Sequence, residues 1–179
     1  GSMVIDDNGK GLSSSGLGHG DSQHCSDFDP YSFGQEIFAC NESQPNNNFR
    51  DATTSKIYYR SVGSRDDGRA NMGKFVDDIP GAQGVSSRDD NLVGAAAHAS
   101  VDGYSKSSFN ITQNFRIYWD GDLCEESFDY RNGKNTEGHI VKAREGEIAV
   151  LAGSMTNNDT KGTPCYQGDV LGDWREEVI

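Results

Sequence analysis

The feature that most restricts the fold of this 179-residue chain is a set of recurring aspartate-rich clusters, most of which lead into a short strand-forming stretch. The clusters are Asp27-Phe28-Asp29 leading to Gly34-Gln35-Glu36-Ile37, Asp77-Asp78-Ile79-Pro80-Gly81, Asp120-Gly121-Asp122-Leu123 leading to Glu125, and Asp169-Val170-Leu171-Gly172-Asp173 leading to Glu177-Val178. Their first aspartates, at 27, 77, 120 and 169, are 50, 43 and 49 residues apart. A four-stranded propeller blade occupies roughly 40–50 residues, so the spacing predicts about three to four blades of a larger propeller.

Short runs rich in β-branched and aromatic residues support an all-β fold: Glu36–Cys40, Lys56–Arg60, Phe115–Trp119 and Glu147–Leu151 read as strands. Asn132-Gly133 is a hairpin signal. Weak helical patterns occur only at Leu92–Ala99 and Trp174–Val178. The 22 glycines and 4 prolines fit many tight turns. An incomplete ring exposes strand edges, so the expected partner is a second copy of the chain or the remainder of the propeller.

The formal net charge of −12 argues against nucleic acid, which requires clustered Lys and Arg. Clustered aspartates repel one another unless a hard cation or a base offsets them, although solvated turn aspartates are the simpler alternative. Cys25, Cys40, Cys124 and Cys165 form no C-x-x-C pair, which excludes a zinc knuckle and leaves free thiols and disulfides both open. No run approaches the ~20 apolar residues of a membrane-spanning helix, so no membrane partner is expected. Residues 1–3 look like a cloning scar, 4–17 like a flexible N-terminal lead-in, and 18–179 like one folded unit.

Four segments carry a family resemblance: Gly18–Pro30, Asp67-Gly68-Arg69, Asn114–Leu123, and Asn157–Pro164 with Gly172–Val178. In order and spacing they resemble the polysaccharide lyases that cleave rhamnogalacturonan I, a family built on an eight-bladed, calcium-binding propeller. Asp159 stands where that family usually has Gly, and Asp77–Gln83 is a worn copy of its acidic loop. The resemblance implies a secreted enzyme acting on acidic pectin by β-elimination. Its alternative is a non-catalytic, calcium-stabilised carbohydrate-binding or structural fragment of such an enzyme.

Elimination removes the galacturonate C5 proton, which is barely acidic beside a carboxylate, so neutralising that carboxylate is the central task. A bound Ca²⁺ and cationic side chains perform it. The resemblance makes Arg69 and Lys161 the positive pair and His19 or His24 the base, with Asn158, Thr160 and Arg116 on the substrate. The expected calcium ligands are Asp21, Asp27, Asp29 and Glu36, then Asp120 and Asp122, then Asp169, Asp173 and Glu177. A glycosidase with paired carboxylates or an adhesive calcium propeller could use the same acidic loops. His98 and His139 read as surface or packing residues, and Trp119 and Trp174 as core residues or sugar platforms.

Overall fold

Strands of two to seven residues, broken by glycine and Asx turns, leave little room for helix. The structure, a computed structural model, describes residues 3–179, with the backbone alone for Asn91, Ser100, Asp102, Gly103 and Lys106. Gly1 and Ser2 of the expected scar lie outside the described residues. The chain opens with a hairpin, β1 (Met3–Ile5) and β2 (Gly11–Ser14). Residues 4–17, expected as a lead-in, therefore contain most of a hairpin.

Three four-stranded antiparallel meanders follow. The first is β3 (Gln23–Ser26), β4 (Glu36–Asn41), β5 (Asn46–Asp51) and β6 (Ile57–Val62). The second is β7 (Ala70–Gly73), β8 (Gln83–Ser86), β9 (Asn91–Gly94) and β10 (Ala99–Ser105). A single helical turn, α1 (Lys106–Phe109), leads to the third: β11 (Phe115–Ile117), β12 (Glu126–Tyr130), β13 (Gly138–Lys142) and β14 (Gly146–Val150). A last pair, β15 (Gln167–Gly168) and β16 (Glu177–Val178), forms a two-stranded sheet.

Glu36–Cys40 lies wholly in β4, the other three expected runs overlap β6, β11 and β14 and overrun them by one or two residues, and Asn132-Gly133 lies in the turn from β12 to β13. The two weak helical patterns are not helices. Leu92–Ala99 spans β9 and its turn, and adjacent Leu92 and Val93 belong to different apolar clusters. Neighbouring residues facing opposite ways is strand alternation, which overrides the helix preference of the alanine run. Trp174–Val178 is a turn entering β16.

The core lies between sheets. Val4 of β1 packs on Ile37, Ala39 and Ala52 of the first meander. Phe28, Phe38 and Phe49 meet Ala70, Met72 and Val93 of the second. Val85 and Leu92 join Phe109, Ile111 and Ala143 ahead of and within the third. Val178 of β16 covers Ile117, Phe128 and Ile140. Gly84 is glycine for a steric reason: a Cβ there would meet the Phe38 ring at 3.1 Å.

One connection repeats from the second meander onward. The loop joining the first and second strands of the second meander, of the third and of the last pair donates a backbone N–H to the corresponding loop before it: Ala82 to Phe28 O at 3.0 Å, Glu125 to Lys74 O at 2.7 Å, and Glu176 to Tyr118 O at 2.9 Å. These bonds stack the first-to-second-strand loops at one end of the sheets. The links between meanders, and the turns between second and third strands, therefore fall at the opposite end.

Phe38→Ala deletes a fully buried ring shared by two meanders. It should lower the unfolding free energy by about 3–5 kcal/mol in chemical denaturation. A loss below about 1 kcal/mol would show that the two meanders are not held by this contact.

Candidate functional site

Two groups of ionisable side chains occupy the two ends, and the topology dictates which residues join each. At the linking end, the segment before β3 folds back on β4. Glu42 N donates to His19 O at 2.8 Å and Cys40 N to Ser22 O at 3.2 Å. Gly20 makes this approach possible, because a Cβ there would sit 1.9 Å from the Cys40 carbonyl oxygen. The fold-back brings His19 Nε2 to 3.1 Å from Asp21 Oδ1 and 3.8 Å from Glu42 Oε2.

Lys161 completes this group from the far end of the sequence, its Nζ lying 2.6 Å from Asp21 Oδ2. The loop that carries it is organised from within. Asn158 Oδ1 accepts bonds from the Thr160 amide at 2.9 Å, the Thr160 hydroxyl at 2.8 Å and the Lys161 amide at 3.3 Å. Gly162 then seats on the third meander, donating its N–H to Asp129 Oδ1 at 2.8 Å, while Asn114 Nδ2 holds the other Asp129 oxygen at 2.6 Å. A Cβ on Gly162 would fall 2.0 Å from the Tyr130 nitrogen. Arg69 approaches the same tyrosine, donating to its hydroxyl at 3.2 Å. Arg69 and Gly162, the residue after Lys161, thus meet Tyr130 from two different links.

Charge in this group is finely divided. The hydrogen bond from Lys161 holds the Asp21 carboxyl below its ordinary range, against some burial. Burial and the nearby Asp21 and Asp66 carboxylates raise that of Glu42. The imidazole of His19 is well exposed. His24 is placed differently: it points from β3 to the second meander, with Nε2 at 2.9 Å from the Ala70 carbonyl. Burial pushes its pKa down to about 4, so it is neutral near pH 7 with its Nε2 proton donated to that carbonyl.

The other expected ligands collect at the opposite end, where one device recurs. The residue that starts each second strand turns its side-chain oxygen onto loop amides. Glu36 Oε2 accepts from Phe28 N at 2.9 Å and Asp29 N at 3.0 Å. Gln83 Oε1 takes Phe75 N and Val76 N, both at 3.0 Å. Glu126 Oε2 takes Trp119 N at 3.0 Å, and Glu177 Oε2 takes Val170 N at 2.7 Å. In the third loop the capping residue is Glu126, not Glu125. Glu125 is buried beside Arg116, 3.3 Å away, and lines a cavity of about 340 Å³ with Phe28, Lys74 and Arg116. Arg116 therefore faces this end, away from Asn158 and Thr160.

The aspartates of these loops have mixed surroundings. Asp29 is buried and accepts from Ser32 Oγ at 2.6 Å, with His98 Nε2 also at 2.6 Å. Asp169 accepts amides from Gly172, Asp173 and Trp174, and Asp173 one from Arg175. Asp27 lines the cavity. In the second loop the Lys74 ammonium sits on the Asp77 and Ile79 carbonyls. Among the described residues, only two groups of three ligand atoms lie within 4.8 Å of one another: His19 with Asp21 and Glu42, and Asp120 with Asp122 and Glu126.

The second of these groups surrounds Lys142. Its Nζ contacts Asp120, lies 2.6 Å from Asp122 Oδ2, and is 3.8 Å from Glu126 Oε1. That Glu126 oxygen is buried and has no hydrogen-bond partner. Burial, reinforced by Asp120, drives the Glu126 carboxyl up to about 7. An orphaned carboxylate oxygen beside two aspartates is a donor set that hard divalent cations take.

Residues 1–179 match the profile described as the C-terminal domain of rhamnogalacturonan lyase family 11. The chain belongs to that family. It is 36% identical to rhamnogalacturonan endolyase YesW of Bacillus subtilis over 190 residues, covering 100% of this chain and 28% of that protein. It is also 36% identical to rhamnogalacturonan exolyase YesX of the same organism over 199 residues, covering 100% of this chain and 31% of YesX. The solved rhamnogalacturonan lyase PL11 of Bacillus licheniformis superposes with a TM-score of 0.83 at 36% identity, over 100% of this chain and 30% of that one. The family-11 chain thus spans about a third of the length of the relatives it matches, and its all-β sheets are those of their C-terminal domain.

Sequence reasoning missed Glu42, Tyr130, Glu126 and Lys142. Glu126 carried a signal, since Glu or Gln recurs at 36, 83, 126 and 177, each just after an acidic loop. No spacing rule points to Glu42 or Tyr130.

Glu126 yields a test. Its folded pKa of about 7 lies above the ordinary 4.5, so it favours folding below pH 4.5, and that advantage is lost as pH rises through 7. In metal-free buffer, wild type should lose on the order of 3 kcal/mol relative to Glu126→Gln across that window. Urea unfolding at pH 4.5 and pH 8 measures it, and parallel pH profiles would refute the assignment.

Proposed function

We propose that this chain forms one wall of a site that cleaves the rhamnose–galacturonate backbone of rhamnogalacturonan I by β-elimination. The observation that carries the reading is the ion pair between Lys161 and Asp21, which draws a lysine from 140 residues away into contact with the His19 carboxylate partner. Lys161 and Arg69 supply the positive charge that a uronate carboxylate needs before its neighbouring C–H can ionise. His19 is the base. If its Nε2–H donates to Asp21, Nδ1 presents a free lone pair to the C5 proton. His24, neutral and committed to Ala70, holds β3 against the second meander.

Asp21 and Glu42, with Asp66 close enough to raise the Glu42 pKa, leave negative charge that a Ca²⁺ would offset. Asn158 and Thr160 stand beside Lys161 and reach the sugar. A bound calcium ion supplies Lewis-acid stabilisation of the uronate charge. At the opposite end, Asp120, Asp122 and Glu126 would hold a structural cation in place of the Lys142 ammonium. The three meanders, with a two-stranded sheet on either side, are an arc of a β-propeller, and the enzyme works outside the cell, where pectin is found.

A non-catalytic role for this chain draws on a separate observation, its coverage of about a third of the YesW and YesX sequences. One assay separates the readings. Incubation with rhamnogalacturonan I and Ca²⁺ should raise ultraviolet absorbance from unsaturated uronate, and Lys161→Ala should reduce the rate at least about a hundredfold with the melting temperature unchanged. Wild-type binding without absorbance would favour the non-catalytic role. Equal rates for wild type and Lys161→Ala would remove Lys161 from the mechanism.

A further inference from the structure

The loop that carries Lys161 is closed on itself, and its pose on the sheet is set from outside. Asn157 N donates to Thr163 O at 2.8 Å and Thr163 N to Lys161 O at 2.7 Å, so residues 157–163 form one compact unit around the Asn158 side chain. Among the described residues, three hydrogen bonds tie that unit to the rest of the chain. One is the Lys161–Asp21 pair itself, and another joins Lys134 Nζ to Asp159 Oδ2 at 3.3 Å. The Lys134 and Asp159 side chains are both more than half exposed, so solvent screens their attraction. The third, from Gly162 N to Asp129 Oδ1 at 2.8 Å, is buried.

Asp129 needs that amide. Its carboxylate is only 8% exposed, and among the described residues no ammonium or guanidinium pairs with it. Three N–H groups meet the charge instead: Gly162 N at 2.8 Å, Tyr130 N at 2.8 Å and Asn114 Nδ2 at 2.6 Å. Asn114 stands directly across from Asp129, one residue before Phe115 in the register that sets Phe115 opposite Phe128. That register fixes one carboxylate oxygen on Asn114 and turns the other toward the loop. Removing a donor from a buried carboxylate costs more than losing an exposed pair, so the loop is drawn to this point of the sheet. Glycine alone allows the approach, since a Cβ on residue 162 would lie 2.5 Å from the accepting oxygen.

We propose that Asp129 and Asn114 are positioning residues for Lys161: the buried pair anchors Gly162, and Gly162 sets the reach of the neighbouring ammonium to Asp21. Lys161 adjoins the anchor in the chain, so any shift of the anchor moves its backbone directly. Asp21 is held separately, between the two bonds by which His19 and Ser22 fold back on β4. The pair therefore acts through the loop. Its bearing on β-elimination rests on the role proposed for Lys161, while the placement of the ammonium stands apart from that role.

A zero-length carbodiimide, which joins a carboxylate to an amine in direct contact, reads the placement independently of activity. In the 179-residue chain in calcium-free buffer, Asp21 and Lys161 should form an isopeptide bond detected by peptide mass spectrometry. Lys142, in contact with Asp120 and Asp122 at the other end of the sheets, provides the control cross-link for an intact fold. Asp129→Ala should lower the Asp21–Lys161 yield about tenfold and leave the control as in wild type. Asn114→Asp combined with Asp129→Asn keeps an oxygen toward Gly162 and should restore the yield. An Asp129→Ala yield equal to wild type overturns the proposal, as does a wild type that forms the control cross-link without Asp21–Lys161. Should both cross-links vanish in Asp129→Ala, Gly162→Ala decides, because it displaces the loop and leaves the residues of the sheet unchanged. Loss of Asp21–Lys161 alone supports the anchor, and retention of both cross-links refutes it. A variant that loses Asp21–Lys161 yet keeps the wild-type elimination rate supports the placement and removes Lys161 from the reaction.

Discussion

The fold depends on a side-chain oxygen at the mouth of each second strand satisfying the backbone amides of the loop before it. In the first two loops those amides are buried, and an unpaired buried N–H costs on the order of 1–3 kcal/mol. Glu36, Gln83, Glu126 and Glu177 meet that need in turn. Once each loop is fixed, its next amide is aimed at the carbonyl of the sheet before it, and the sheets stack at regular intervals. The apolar clusters between sheets then form from residues on both faces of every strand.

This scaffold separates two chemistries. Links between sheets carry His19, Arg69 and Lys161, while the capped loops carry eight of the nineteen aspartates. The separation follows from strand parity, since four strands return the chain to the end from which it started. A cation at Asp120, Asp122 and Glu126 would stiffen a corner far along the sheet from the histidine. Calcium at Asp21 and Glu42 would sit beside it. One ion type could therefore serve stability at one end and charge neutralisation at the other.

Much of this was legible in the sequence. The period of the aspartates matches the repeat of the meanders, and the β-prone runs mark four of the sixteen strands among the described residues, because both depend on local residue chemistry. The hairpin at residues 3–14 escaped notice because its apolar residues are few and three of the four are bare. The division into two ends was hidden, since it arises from counting strands and not from any motif. Lys161 meeting Asp21 was foreseeable only as shared membership of one site. Glu42 reaches His19 through a backbone pairing that no spacing encodes. Arg116 was placed on the substrate by its motif, yet its side chain turns to Glu125 and the ring of Phe28.

Gln83 departs from its three counterparts in one respect: it caps its loop with an amide, which carries no titratable proton. The Glu126 carboxyl, raised to about 7 by burial, gives up its proton as the medium turns alkaline and adds a charge to a corner that already holds Asp120 and Asp122. Gln83 presents the same neutral oxygen to its two amides in acid and in base. An alkaline medium would therefore loosen the third meander at its corner and leave the corner of the second as it was.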